Sequence, residues 1–129
     1  MRAQSSFEPR PDQVRAARRF VDGALSEVGI GSPDVALLVS ELATNAVLHA
    51  RTCFAVEISA EESGEHLRVG VTDLDSRAPV AGDPDPTASG GRGMALVRAL
   101  ADTWGVQRHA DAGKTVWFEL TSTRSVVAR

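Results

Sequence analysis

Two pairs of strand-like segments constrain the fold of this chain most strongly. The first pair, CFAVEISAEE and HLRVGVTDLD, is joined through SGE; the second lies within VQRHADAGKTVWFELTS, with its turn near DAG. Apolar residues alternate along these segments and short polar turns separate them, a pattern typical of β-hairpins. Hairpins are antiparallel, so the sequence argues against the alternating strand–helix order of a parallel Rossmann-type sheet.

Three further segments have the apolar spacing of amphipathic helices. The first covers residues 11–29 and stops at a glycine, and the second covers residues 31–50. The second opens with Ser32 as a predicted N-cap, followed by a proline at the first helical position, which is a strong start signal. The third is GMALVRALADTWG, residues 93–105. A short edge strand, AQSSFEP, is predicted before the first helix.

This order of elements predicts an α+β two-layer sandwich, with one mixed, mostly antiparallel sheet covered on one face by about three helices. A chain of 129 residues is of single-domain size, so we expect one domain over residues 1–129. The stretch between the first hairpin and the third helix is rich in Pro, Gly, Asp and Ser. Because loops this long are often functional in small domains, we predict a flexible lid over residues 75–93.

Charge and composition favour a cytoplasmic protein without direct nucleic-acid or membrane contacts. The net charge is −3, whereas non-specific nucleic-acid binding needs a basic surface. No apolar run approaches the ~20 residues of a membrane span. The N-terminal MRAQSSFEPRPDQ also lacks the apolar core of a signal peptide. With Cys53 as its single cysteine, the chain cannot form an intramolecular disulfide.

Three polar residues on the second helix are spaced for a shared role. Glu41, Asn45 and His49 recur every four residues and fall on the flank of the apolar stripe. Two interpretations remain open for them. The side chains bond to neighbouring backbone groups, or they line a crevice between the helix and the lid.

Two other motifs have the character of ligand contacts. Gly90, Gly91 and Gly93 lead into the third helix, where free backbone amides and the helix dipole favour a phosphate group. Glycines also simply permit turns. Asp73 ends the strand VGVTD; it either initiates a turn or accepts a hydrogen bond from an amino group of a ligand.

One apparent motif is misleading. GKT at residues 113–115 resembles the end of a Walker A loop, but Arg108 stands where that loop requires its first glycine. The following VWFEL alternates as a strand does, whereas a Walker A loop opens a helix. The sequence therefore gives no support to a P-loop.

Four motifs in order resemble a known ATP-binding fold. SELATNAVLHA, VGVTDLD, GGRGMALV and GKTVWFEL resemble the N box, first glycine box, second glycine box and closing strand of the GHKL superfamily. The small size of the chain and the residues of these motifs resemble those of the RsbW-type anti-sigma-factor serine kinases. The resemblance extends over about residues 11–120.

The resemblance implies a site for ATP and Mg²⁺. Asn45 would be the Mg²⁺ ligand, which suits a hard cation that prefers oxygen. Glu41 would be the general base for a substrate serine hydroxyl. Asp73 would accept the hydrogen bond of the adenine amino group, helped by Thr115 on the closing strand.

The same resemblance implies phosphate contacts at the second glycine box. Gly91 and Gly93 would let backbone amides reach the phosphates, Arg92 would counter their charge, and Met94 would complete the ATP contacts. His49 receives no chemical role. In the first glycine box Asp75 stands where the family has glycine, which adds bulk and negative charge near a polyphosphate.

The function implied by the resemblance is that of a serine kinase with protein partners. Such a protein sequesters a sigma factor and phosphorylates a serine of an anti-anti-sigma (STAS-type) protein. The family also implies a homodimer formed through the N-terminal edge strand. Two alternatives remain: a nucleotide-sensing or nucleotide-independent binding module without kinase activity, motivated by Asp75, and the detached catalytic domain of a histidine kinase. The sequence shows no helix with a phospho-acceptor histidine, which disfavours the latter.

Overall fold

The fold is that of a computed structural model, which describes residues 1–30, 33–61, 66–75, 89–110 and 113–121, without the side chains of residues 89–94. Five strands are present in this part of the chain: β1 Arg2–Phe7, β2 Phe54–Ala60, β3 His66–Asp73, β4 Thr103–Arg108 and β5 Lys114–Thr121. Three α-helices accompany them: α1 Pro11–Glu27, α2 Pro33–Asn45 and α3 Ser89–Leu100. A π-helical turn, Ala46–Ala50, follows α2 directly.

The strands form one sheet in the order β1-β2-β3-β5-β4. All four pairings are antiparallel, and both predicted hairpins, β2–β3 and β4–β5, are present. The predicted α+β class is confirmed, and the predicted N-terminal strand does lie at an edge of the sheet. The register pairs Asp73 at the end of β3 with Lys114 at the start of β5.

The helices cover one face of the sheet, and β2 and β5 accordingly alternate between buried and partly exposed residues. Along β2, every second residue from Phe54 to Ala60 is buried, so one face of the strand packs inward. Helix α2 supplies a continuous apolar stripe to that core through Leu38, Val39 and Leu42, all at most 3% exposed. It contacts α1, α3 and β3, so it is the central element of the helical layer.

The end of α2 departs from the uninterrupted helix that the sequence predicts. The N–H of Arg51 bonds to the carbonyl of Ala46 at 2.8 Å, five residues back, which is the pattern of a π-helix. Arg51 itself has φ 58° and ψ 34°, a left-handed conformation that is uncommon for residues other than glycine. Turns of this kind often occur at functional sites, and this one begins immediately after Asn45.

The predicted third helix was placed too far along the chain. Residues 103–105 lie in β4, and the glycines that were expected before the helix lie inside α3. Asp102 marks the change of structure, because its N–H bonds to the carbonyl of Glu119 at 2.9 Å. Its carboxylate accepts hydrogen bonds from the hydroxyl and the N–H of Thr121 at 2.8 and 2.6 Å, and these bonds lower the pKa of Asp102.

Most of the predicted lid, residues 75–93, lies outside the described residues; only Asp75 and the backbone of residues 89–93 fall within them. Ser32, the predicted N-cap of α2, also lies outside them, while Pro33 is the first residue of that helix as predicted. Within the described part of the chain, no helix combines the length and the apolar character needed to cross a membrane.

Candidate functional site

Glu41 and Asn45 lie one turn apart on α2, on the flank of its buried stripe, and both are half-buried. Their polar neighbours on the helix are satisfied locally: the hydroxyls of Ser40 and Thr44 each donate to the carbonyl four residues back, at 2.9 and 2.7 Å. Glu41 makes no hydrogen bond or ion pair with any residue that the structure describes. Its carboxylate is therefore available to a ligand or a substrate.

The side-chain oxygen of Asn45 is the most unusual polar atom of this region. Oδ1 is buried and has no hydrogen-bond partner among the described residues. Buried polar atoms are usually hydrogen-bonded, and each exception needs an explanation. A neutral oxygen left without a donor fits a hard cation such as Mg²⁺, which prefers oxygen ligands and is commonly held together with substrate phosphates.

The described residues contain no group of three or more His, Cys, Asp or Glu side chains arranged for a metal. Mg²⁺ does not need such a cage, because it usually keeps several waters and takes only one or two protein ligands beside phosphate oxygens. Asn45 as a single protein ligand is compatible with this chemistry. His49 lies exposed in the π-helical turn, and no function is assigned to it.

Asp73 is buried, with an exposed fraction of 6%, and it forms an ion pair that the sequence did not predict. Its Oδ1 accepts from Nζ of Lys114 at 3.0 Å and from the N–H of Asp75 at 2.9 Å. The same Nζ donates to the carbonyl of Asp75 at 3.0 Å. Lys114, at 5% exposed, thus holds the turn after β3 to the start of β5.

Sequence reasoning missed Lys114 because GKT was rejected as a Walker A motif and, within the closing strand GKTVWFEL, only Thr115 received a role. Strand alternation could have found it. Lys114 begins the VWFEL strand in phase with Val116, so it faces the helices and the core. It is also the single lysine in the chain. A lone lysine on the buried face of a strand needs a carboxylate partner, and Asp73 lies opposite in the register.

Thr115 points away from Asp73, because successive residues of a strand face opposite sides of the sheet. Its hydroxyl bonds to Thr72 at 2.6 Å and to Nε2 of His109 at 2.8 Å. It lines a groove of about 230 Å³ together with His109 and Arg68. The structure therefore does not bring the side chains of Asp73 and Thr115 together; the closing-strand residue beside Asp73 is Lys114.

The second glycine box occupies the beginning of α3. Gly91, Arg92, Gly93 and Met94 all lie within Ser89–Leu100, and their side chains are outside the described part of the structure. Their predicted phosphate contacts stay predictions. Since α2 contacts both α3 and β3, the elements that carry Glu41 and Asn45 adjoin those that carry the glycine box and Asp73.

Gly113 allows the closing strand to approach Asp73. It has φ +90°, and a Cβ there would collide with the carbonyl oxygen of Asp73 and lie 3.0 Å from Cα of Leu74.

We expect Gly113→Ala to lower the free energy of unfolding by at least ~1–3 kcal/mol, measured by urea denaturation. Gly23→Ala is the matched control. Nothing lies within 4 Å of a Cβ at Gly23 in α1, so alanine there should stabilise by ~0.5–1 kcal/mol. Equal stability of the two variants would contradict this account of Gly113.

Comparison with known proteins places this geometry in a family. The family model described as "Histidine kinase-like ATPase domain" matches residues 7–120. The uncharacterized protein SCO4941 of Streptomyces coelicolor is 45% identical over 58 residues, covering 43% of this chain and 54% of that protein. The chain thus spans about half the length of this curated relative.

Two solved structures are similar. The RsbU and RsbW domains of Rv1364c from Mycobacterium tuberculosis match with a TM-score of 0.68 at 20% identity, covering 94% of this chain and 32% of that one. This match supports the fold. The histidine kinase domain of the blue-light activated kinase EL346 from Erythrobacter litoralis matches with a TM-score of 0.49 at 32% identity, covering 74% of this chain and 47% of that one.

Proposed function

The chain belongs to the histidine kinase-like ATPase domain family, and from this premise we propose that it is an ATP- and Mg²⁺-dependent serine kinase of the anti-sigma-factor type. The observation that supports the metal and nucleotide part most directly is the buried Oδ1 of Asn45, which has no partner among the described residues. A ligand that supplies a cation there would satisfy this atom. Family membership implies that the cation arrives with ATP.

In this proposal the two polar residues on the flank of α2, Asn45 and Glu41, have different roles. Asn45 would hold Mg²⁺, which would supply positive charge to offset that of the phosphates during the transfer. Glu41 accepts the proton of a serine hydroxyl while the serine oxygen attacks the γ-phosphorus of ATP and ADP departs. The free carboxylate of Glu41 supports this role, because a general base must be accessible to the hydroxyl it deprotonates.

The base of ATP would lie beside Asp73, and its phosphates beside Gly91, Arg92, Gly93 and Met94. The Asp73 carboxylate would accept a hydrogen bond from the amino group of adenine. The ion pair with Lys114 keeps this carboxylate buried and oriented, and the two hydrogen bonds that it accepts from described residues are both to Oδ1. Oδ2 is therefore left to meet a ligand.

We expect Asp73→Asn to weaken ATP binding by ~1.5–3 kcal/mol, since a charged hydrogen bond to the base is lost. The substitution also leaves the ammonium of Lys114 without its carboxylate, so unfolding must be followed in parallel and affinity compared where both proteins are folded. Asp102→Asn, an exposed carboxylate at the other end of the sheet, is the control. A folded Asp73→Asn protein with parental ATP affinity would remove Asp73 from the site.

The proposed partners are a sigma factor, which the protein would sequester, and an anti-anti-sigma protein of STAS type, which it would phosphorylate on serine. The resemblance of the motifs to anti-sigma-factor kinases supports both, as well as a homodimer through the β1 edge and a cytoplasmic location. The test is phosphotransfer from γ-labelled ATP to a panel of purified STAS proteins from the same organism. Serine phosphorylation of one of them, lost without Mg²⁺, is the expected result.

A second candidate function is a nucleotide-responsive binding module without kinase activity. The observation that favours it is the turn Asp73–Leu74–Asp75, which has aspartate in place of the family glycine and is tied to Lys114. ATP binding without phosphorylation of any STAS protein in the panel would favour this function over the kinase.

A further inference from the structure

Within the described part of the chain, the Asp73–Lys114 ion pair has one carboxylate oxygen and one ammonium N–H without a hydrogen-bond partner. An ammonium has three N–H donors, and Lys114 uses two, to Oδ1 of Asp73 and to the carbonyl of Asp75, both at 3.0 Å. The third has no partner among the described residues. On Asp73, Oδ1 accepts both of these hydrogen bonds, and Oδ2 accepts none from the residues that the structure describes.

We propose that Lys114 is a specificity-determining residue of the base site, where it and Asp73 read the purine together and admit 6-oxopurine nucleotides beside ATP. The inference rests on the proposed function, because it takes Asp73 to face the base. The inference differs from the proposed function in the ligand, since a carboxylate alone would select the amino group of adenine.

Adenine and 6-oxopurines differ in the hydrogen-bonding groups at positions 6 and 1. Adenine offers an amino donor at position 6 next to ring-nitrogen acceptors, whereas a 6-oxopurine offers an oxygen acceptor at position 6 next to the N1–H donor. A lone buried carboxylate could accept from N1–H but would leave O6 beside a buried acceptor without a donor, which is the usual basis of strong discrimination. With the ammonium present, Oδ2 accepts from N1–H and Nζ donates to O6. The pair thus offers partners to either base: Oδ2 accepts from the amino group of adenine, and Oδ2 and Nζ together meet a 6-oxopurine whose edge is shifted by one position.

Burial of the ion pair strengthens its discrimination between bases. The side chains of Lys114 and Asp73 are only 6% and 8% exposed, so water competes little for their remaining hydrogen-bonding positions, and an unmatched group in the pocket is costly. The pair is also fixed in place, because the register of β3 and β5 sets the two residues opposite each other and the Asp75 carbonyl holds the ammonium.

The test compares ATP with inosine triphosphate, which differs from it only by the 6-oxo group and the proton on N1. Both are titrated with Mg²⁺ into the full chain by calorimetry. We expect the Kd of the inosine nucleotide to lie within about tenfold of that of ATP. A Kd more than about tenfold weaker, with ATP bound, would overturn the role of Lys114 and leave the proposed function intact. Binding of neither nucleotide would contradict both.

Variants of the pair add a second readout. Lys114→Thr should weaken the inosine nucleotide about tenfold to a hundredfold more than ATP, and Lys114→Arg should restore part of that binding. An equal change for both nucleotides would contradict the proposal. Arg108→Thr is the control: Arg108 is paired with Lys114 in the β4–β5 register but exposed, and its loss should leave the preference unchanged. If the threonine variant does not fold, the arginine variant and the parental ratio still decide.

Discussion

Glu41→Ala is expected to lower the rate of phosphotransfer to a serine substrate by about 10²–10⁴-fold, with the affinity for Mg-ATP nearly unchanged. The reason is that the carboxylate acts on the proton of the substrate hydroxyl and is not needed to hold the nucleotide. The folded protein should tolerate the change, since Glu41 is half-buried and makes no hydrogen bond or ion pair with the described residues.

The rate is measured with γ-labelled ATP and the unphosphorylated form of the STAS protein that the parental protein phosphorylates, and the affinity by calorimetry on the same preparations. Asp34→Ala provides the control, because Asp34 is an exposed carboxylate in the first turn of the same helix. Parallel loss of rate and ATP affinity in Glu41→Ala would instead assign Glu41 a structural role.

Asn45→Ala is expected to abolish the dependence of nucleotide binding on Mg²⁺, so that the ratio of ATP affinities with and without the ion falls to about one. The melting temperature without ligand should stay the same or rise slightly. Oδ1 has no hydrogen bond to lose among the described residues, an unsatisfied buried oxygen is unfavourable, and alanine is the better helix former.

Asn45→Asp is the companion variant, because a carboxylate retains an oxygen ligand for Mg²⁺ and should preserve much of the metal dependence. If Asn45→Ala binds ATP with the parental requirement for Mg²⁺, the metal is held elsewhere. If it unfolds at a clearly lower temperature, the amide is structural.

The sequence predicted the fold well where local patterns and global packing agree. Alternating apolar residues located both hairpins, and Pro11 and Pro33 marked the starts of α1 and α2. The prediction of the third helix failed at residues 103–105, where the apolar spacing of the preceding helix continues into a strand. Pairing of Trp104 with Phe118 across β4 and β5 decides the structure there, and a long-range pairing is not visible in a local pattern.

The candidate site was predictable only in part. Its geometry depends on which face of a strand each residue occupies and on contacts between elements that are distant in the sequence. The spacing of Glu41 and Asn45 placed them together on α2. The choice between Thr115 and Lys114 as the neighbour of Asp73 instead depends on which face of β5 each residue occupies. The π-helical turn after Asn45 was also unpredictable, since its apolar residues fit an α-helix equally well.

The central claim is that the flank of α2 and the end of β3 bind ATP together with Mg²⁺. The most direct measurement is a calorimetric titration of ATP into the parental protein, once with excess Mg²⁺ and once with a chelator. We expect a Kd in roughly the micromolar range with Mg²⁺ and clearly weaker binding with the chelator. Absence of binding at millimolar ATP under both conditions would contradict the claim, and would indicate that Asp75 and the Lys114 ion pair close the site to nucleotides.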